Sequence, residues 1–215
     1  MIDNLTYINK KLNNQITLVA VSKAQSFEAI KELYDLGVRN FGESYVQELL
    51  CKINLAKQNN INDIIWHFLG NIQSNKIKSL INIDFIHSIS KISQLEILDK
   101  IALKKINYFL QINLLPTNNR LGFLEEEIFD VLKNIRKYKN LSCLGLMCVL
   151  PTKTTKTSDY WFEKMLILKQ QIVEKNLLTK VELSMGMSDD FIEAINYGST
   201  FVRIGSRLFG KRVYK

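Results

Sequence analysis

Residues that punctuate or cross-link a chain are scarce here. The 215 residues include two prolines, nine glycines and three cysteines. With so little proline and glycine there is no linker of the kind that separates domains, and no low-complexity tail is present. Residues 1–215 are therefore expected to form one domain. Three cysteines, Cys51, Cys143 and Cys148, cannot all pair with one another, and their spacing is not that of metal ligands. Reduced thiols and a cytoplasmic location are the expectation. Long apolar runs are missing too. Charges interrupt each one before the roughly 18 residues that a membrane span needs. The N-terminus, MIDNLTYINKK, carries Asp3 and no apolar stretch, so no secretory signal is expected.

Acidic residues are the minority charge. Lys and Arg number 29 against 21 Asp and Glu, for a net charge of +8. A basic balance raises the question of a nucleic-acid partner. The basic pairs at 10–11, 104–105 and 211–212 are isolated, however, and no block of like charge stands out. Lys, Asn and Ile are abundant together, which reads as compositional drift. No nucleic-acid or membrane partner is expected.

What the chain does have is alternation. Apolar, strand-like runs fall at 16–21, 38–41, 64–69, 85–89, 108–115, 141–150, 181–185 and 200–204. Helical patterns lie between them. Phe27, Ile30 and Tyr34 share one helix face, with Ser26 placed to cap its start and Gly37 to end it. Val46, Leu49, Leu50 and Ile53 form the next stripe. Further helices are predicted near 74–81, 93–104, 125–138, 159–175 and 188–197, the last capped by Ser188. One more, over about 3–13, precedes the first strand. Strands alternating with helices imply a parallel sheet covered on both faces. Eight such units point to an α/β fold closed as a (β/α)8 TIM barrel, with an extra N-terminal helix. An open doubly wound sheet is the fallback. No G-x-G-x-x-G follows the first strand, and no G-x-x-x-x-G-K-[ST] occurs.

In such a barrel the chemistry gathers where strand C-termini meet their loops. Lys23 ends the first run, and Val19, Val21 and Lys23 share a face because strand side chains alternate. If the valines point inward, Lys23 stands at the mouth. A lysine on an apolar wall loses its proton more readily and becomes a nucleophile for a carbonyl. The plainer reading is a lysine reaching for Glu43 or solvent. Near the C-terminus, "VRIGSRLFG" places Gly205 and Ser206 where a ligand's phosphate could sit, with "SMGMS" as the facing wall. Arg203 either faces that pocket or pairs with Glu182 or another barrel carboxylate. His67 and His87 are the only histidines, too few for a metal site. His87 reads as a core residue with a backbone partner, and His67 as closer to the mouth. A Schiff-base lysine facing a phosphate pocket suggests pyridoxal 5′-phosphate (PLP).

These motifs also carry a resemblance. "AVSK", "NFGESYVQE", "WHFLGNIQSNK" and "SMGMSDDFIEAINYGSTFVRIGSRLFG" resemble the pyridoxal-phosphate homeostasis (YggS/PROSC) family, itself related to the barrel domain of alanine racemase. The resemblance runs from about Leu18 to Arg212 and implies a PLP fold-type III barrel. It implies that Lys23 forms the internal aldimine. It implies that Ser184, Gly205 and Ser206 hold the phosphate, and that Arg203 faces the ring nitrogen. It further implies a role in vitamin B6 homeostasis, with PLP-dependent apoenzymes as possible acceptors, rather than catalysis. Two positions depart from the family: Ser44 replaces its usual asparagine, and "LPTNNRLGF" has Arg120 but no glutamate. Alanine-racemase-like enzymes draw a second acid/base residue from an extra domain, for which one barrel of this length has no room. No sustained turnover is expected, and the protein is expected to be a monomer. The alternatives are a racemase-like enzyme and a cofactor-free Schiff-base aldolase.

Overall fold

A computed structural model describes residues 1–115, 121–152 and 154–210. The apolar runs become eight short strands: β1 (Thr17–Val21), β2 (Asn40–Glu43), β3 (Ile65–Phe68), β4 (Phe85–Ile89), β5 (Ile106–Gln111), β6 (Leu141–Met147), β7 (Glu182–Ser184) and β8 (Phe201–Ile204). Each pairs in parallel with the next, and β8 returns to β1 in register from Thr17–Phe201 to Ala20–Ile204. The sheet is thus a closed barrel, as the alternation predicts.

Around it run α1 (Ile2–Asn9), α2 (Phe27–Asp35), α3 (Val46–Gln58), α4 (Ile92–Ile101), α5 (Glu125–Asn134), α6 (Ser158–Glu174), α7 (Phe191–Asn196) and α8 (Ser206–Phe209). Local chemistry sets their ends. The Ser26 hydroxyl accepts from the Ala29 amide at 3.3 Å, and Gly37 stops α2 at φ +94°. The helix predicted over 74–81 is only a 3₁₀ turn, Ile77–Leu80. No helix among the described residues is long and apolar enough to cross a membrane, and the three cysteines are free.

Two cores result. The outer one lies between sheet and helices and takes Ala20, Phe41, Trp66, Phe68, Leu146 and Val202. The inner one fills the barrel with rings. His67 stacks on Phe85 at 4.4 Å between centroids, His87 lies 4.6 Å from Phe109, and Phe109 meets Phe201 edge-on at 5.1 Å. Burying one such phenyl group stabilises the fold by roughly 1.5–3 kcal/mol, so the ring cluster is a packed floor and not a pore. Gly145 makes this fit possible. The register slips between Tyr108–Cys143 and Phe109–Gly145. At φ +153° a Cβ on Gly145 would stand 2.0 Å from the Glu182 carbonyl oxygen. The bulge brings β6 against β7 at a distance that only glycine tolerates.

Candidate functional site

The mouth of the barrel is shaped first by the turn after β1. Ala20 belongs to the outer core, and the alternation therefore turns Val19 and Val21 inward. Lys23 follows on the same face, half-buried. Ala24 then reverses the chain at φ +59°. A buried cation beneath the turn holds it in place. Lys52, on α3, is 4 % exposed. Its ammonium donates to the Ser22 carbonyl at 2.6 Å, to Glu43 Oε1 at 2.6 Å and to Glu48 Oε1 at 2.7 Å. Three donors thus meet three acceptors. Glu48 Oε1 also accepts from the Ala24 amide at 2.6 Å, and the Ser22 hydroxyl donates to Glu43 at 2.6 Å.

Glu43 is therefore the partner of Lys52 and Ser22 and not of Lys23, contrary to the plainer sequence reading. Burial raises the Glu43 carboxyl above its ordinary value, against the opposing pull of Lys52. Sequence reasoning missed Lys52. The signal was there: it falls three residues after Leu49 and four before Ala56, on the buried stripe of α3.

The opposite wall is β8 with the loops after β7 and β8. Arg203 is 5 % exposed. Its guanidinium donates to Ser184 Oγ at 2.7 Å and to the Cys148 carbonyl at 2.8 Å. Glu182, the anticipated rival partner, pairs with Lys180 at 2.5 Å. Among the described residues no carboxylate forms an ion pair with Arg203. Ser188 does not cap the following helix. Asp190 Oδ1 accepts from the Met187 amide at 2.5 Å, and α7 begins only at Phe191. The Ser188 hydroxyl turns instead to the last loop, accepting from the amides of Gly205 and Arg207 at 3.3 Å each. At Gly205 a Cβ would lie 3.2 Å from the Val21 carbonyl, so β1 and the final loop nearly touch.

Between these walls lies a cavity of about 340 Å³. Lys23 and Ser44 line one side; Ser188, Asp189, Arg203, Gly205 and Ser206 line the other. Val21, Leu69 and Val149 supply apolar surface. Volume does not select this site. A cavity of about 390 Å³ lies beside Trp66 and Asp84, and one of about 420 Å³ lies under the N-terminal ends of β1 and β2. Neither of these gathers strand C-termini.

Four of the five site residues expected from sequence (Lys23, Arg203, Gly205 and Ser206) line this one cavity. The fifth, Ser184, does not. It is fully buried, and its hydroxyl is taken by Arg203 and by His87 Nδ1, each at 2.7 Å. Ser188 is the serine of "SMGMS" that faces the cavity. His67 is not at the mouth either. Both histidines are fully buried and bond to side chains, not to the backbone. Burial lowers the His67 pKa to about 3. Burial first, then the charges of His67 and Arg203, push His87 well below its ordinary value. Ser44 lines the cavity, while Arg120 lies outside the described residues. No group of three or more His, Cys, Asp or Glu that could hold a metal occurs among the described residues.

An amine, a guanidinium with no ion-paired carboxylate among the described residues, hydroxyls and loop amides thus converge above an apolar floor, with Asp189 beside them. Residues 1–213 match the family model of the alanine racemase N-terminal domain. A Synechocystis protein named pyridoxal phosphate homeostasis protein is 39% identical over 204 residues, covering 92% of each chain. The chain belongs to the pyridoxal phosphate homeostasis protein family. Solved structures of PipY from Synechococcus elongatus superpose on it with TM-scores of 0.90 and 0.89 at 33% and 32% identity. Each covers 97% of this chain and 99% of the PipY chain. One is described as without PLP, the other as with PLP bound.

Proposed function

We propose that this chain binds pyridoxal 5′-phosphate covalently through Lys23 and serves vitamin B6 homeostasis as a holder of the cofactor. One observation carries the reading: Lys23 and a buried arginine with no ion-paired carboxylate among the described residues face the same cavity. The donor set fits the cofactor. Ser188, Gly205 and Ser206 offer hydroxyls and amides where an anionic phosphate would sit, and the Asp189 carboxylate in the lining is outnumbered by the cations Lys23 and Arg203. Arg203 stands where it would meet a ring acceptor, and Val21 and Leu69 offer apolar contact. Bound PLP supplies an aldehyde that takes an amine and a ring that draws electrons.

The chain's own residues favour holding over turnover. A guanidinium only donates hydrogen bonds, so Arg203 disfavours a proton on the ring nitrogen. That weakens the electron sink that racemase or decarboxylase chemistry needs. The Lys52 cluster keeps the Lys23 turn rigid. The closed sheet has no open edge that calls for a partner, which supports a monomer; the reading is of a one-domain, cytoplasmic protein with PLP-dependent apoenzymes as acceptors.

The test is an absorption spectrum of purified protein before and after borohydride, with peptide mapping of the modified residue. Visible absorption in the wild type, its loss in Lys23→Ala and a reduced adduct on Lys23 are expected. An adduct on another lysine would overturn the assignment. A colourless protein that borohydride links to a sugar phosphate would favour the aldolase alternative. Steady-state amino-acid turnover of about 1–10³ per second would make it an enzyme.

A further inference from the structure

Behind Arg203, polar groups run through the barrel floor to its other end. Ser184 Oγ lies 2.7 Å from Arg203 Nη1 and 2.7 Å from His87 Nδ1. His87 Nε2 lies 2.9 Å from His67 Nδ1, and His67 Nε2 lies 3.0 Å from Asn40 Oδ1. Arg203 can only donate, so Ser184 Oγ accepts from it. Ser184 then has one proton to give and, among the described residues, one side-chain neighbour to take it, His87 Nδ1. That makes His87 the Nε2–H tautomer, donating to His67 Nδ1. His67 is in turn the Nε2–H tautomer and donates to Asn40 Oδ1. Reversing the direction would bring two donors onto Ser184 Oγ and leave the serine proton buried with nothing to receive it, which is costly. One polarity satisfies every group.

We propose that His67 and His87 are positioning residues for Arg203: a one-way hydrogen-bond chain through Ser184, His87 and His67 to Asn40 anchors the guanidinium at the cavity wall without an ion pair to any carboxylate among the described residues. A carboxylate in the place of Ser184 would hold the arginine equally well but cancel its charge. A chain of neutral groups fixes the plane of the guanidinium without cancelling its charge, which Asp190 meets only at longer range and without an ion pair. The inference rests on the reading that PLP occupies the cavity; the tautomers do not depend on it.

Two measurements test it on the full-length protein. The first uses nitrogen-15 correlation spectra of wild-type protein freed of carbonyl compounds with hydroxylamine. Both histidines are expected as neutral Nε2–H tautomers at pH 7. An Nδ1–H tautomer or a cation at either position would overturn the chain. The second is titration of PLP into wild type, His87→Leu and His87→Asn, followed by visible absorption. The asparagine oxygen can stand where His87 Nδ1 stands and accept the Ser184 proton; leucine cannot. His87→Leu is expected to weaken PLP binding about ten- to a hundredfold, as for a buried donor left unsatisfied, and to shift the absorption maximum of the bound chromophore. His87→Asn is expected to recover most of both.

Equal behaviour of the two variants, or a leucine variant with wild-type affinity and spectrum, would refute the positioning role. A wild type that takes up no PLP would sink the proposed function, and the spectra of the cofactor-free protein would still decide the chain. If His87→Leu does not fold, His87→Asn and those spectra decide.

Discussion

Lowering the pH from 7.5 to 5.0 should weaken this fold through His67, well before most carboxylates titrate. The His67 ring is fully buried, and its pKa falls to about 3 from an ordinary 6.5, because burial disfavours the cation. Between those values the unfolded chain binds a proton that the folded chain refuses. Stability therefore rises with pH across this window and is lost as pH falls through it. At pH 5.0 the unfolded ring is almost fully protonated and the folded one almost not at all. The linkage relation then gives a loss of about 2 kcal/mol at pH 5.0 relative to pH 7.5 from this residue. His87 is lowered as well and acts in the same direction. Glu43 acts oppositely: burial raises it, so its folded form takes up a proton more readily than the unfolded one as pH falls. A difference measurement isolates His67. Urea unfolding of wild type and His67→Gln, followed by tryptophan fluorescence, is compared at the two pH values. The wild type should be more stable at pH 7.5, and its advantage should shrink by about 2 kcal/mol at pH 5.0. A gap constant to within about 0.5 kcal/mol, the scale of an inconsequential substitution, would mean that His67 titrates normally and that the barrel floor is not sealed.

Other outcomes follow from the same geometry. Lys52→Met leaves Glu43 buried without its ammonium and should cost about 3–5 kcal/mol, read from thermal melts; adding Glu43→Gln should return part of it, and an unchanged melt would show that the cluster is not holding the turn. Ser188→Ala removes the shared acceptor of the Gly205 and Arg207 amides. PLP should dissociate about tenfold faster, measured as decay of visible absorption on dilution, with the fold intact; unchanged decay would remove Ser188 from the proposed cradle. Gly186→Ala places a Cβ at φ +91°, 2.6 Å from Ala194 Cβ. The wall formed by "SMGMS" should be destabilised by about 2 kcal/mol, and a wild-type melting temperature would contradict the strain.

Much of this was legible in the residues alone. Strand and helix periods are local, so the eight alternating units announced a barrel before any contact was known. Ser26 and Gly37 bounded α2 because caps act within one turn. Lys23 could be placed at the mouth from the two-residue alternation that buries Val19 and turns Val21 inward. Arg203, Gly205 and Ser206 likewise sit on one strand end and its loop. What stayed hidden was the choice of partners. Ser184 and Ser188 lie four residues apart in one motif, yet one anchors Arg203 and the other faces the cavity. Lys52 and Lys23 compete for Glu43, and Lys52 has it. His87 finds Ser184 across 97 residues of chain. No local pattern carries such pairings. They arise because closing the barrel brings inward-facing side chains of distant strands within hydrogen-bond reach, where a buried polar group must take whichever partner it meets.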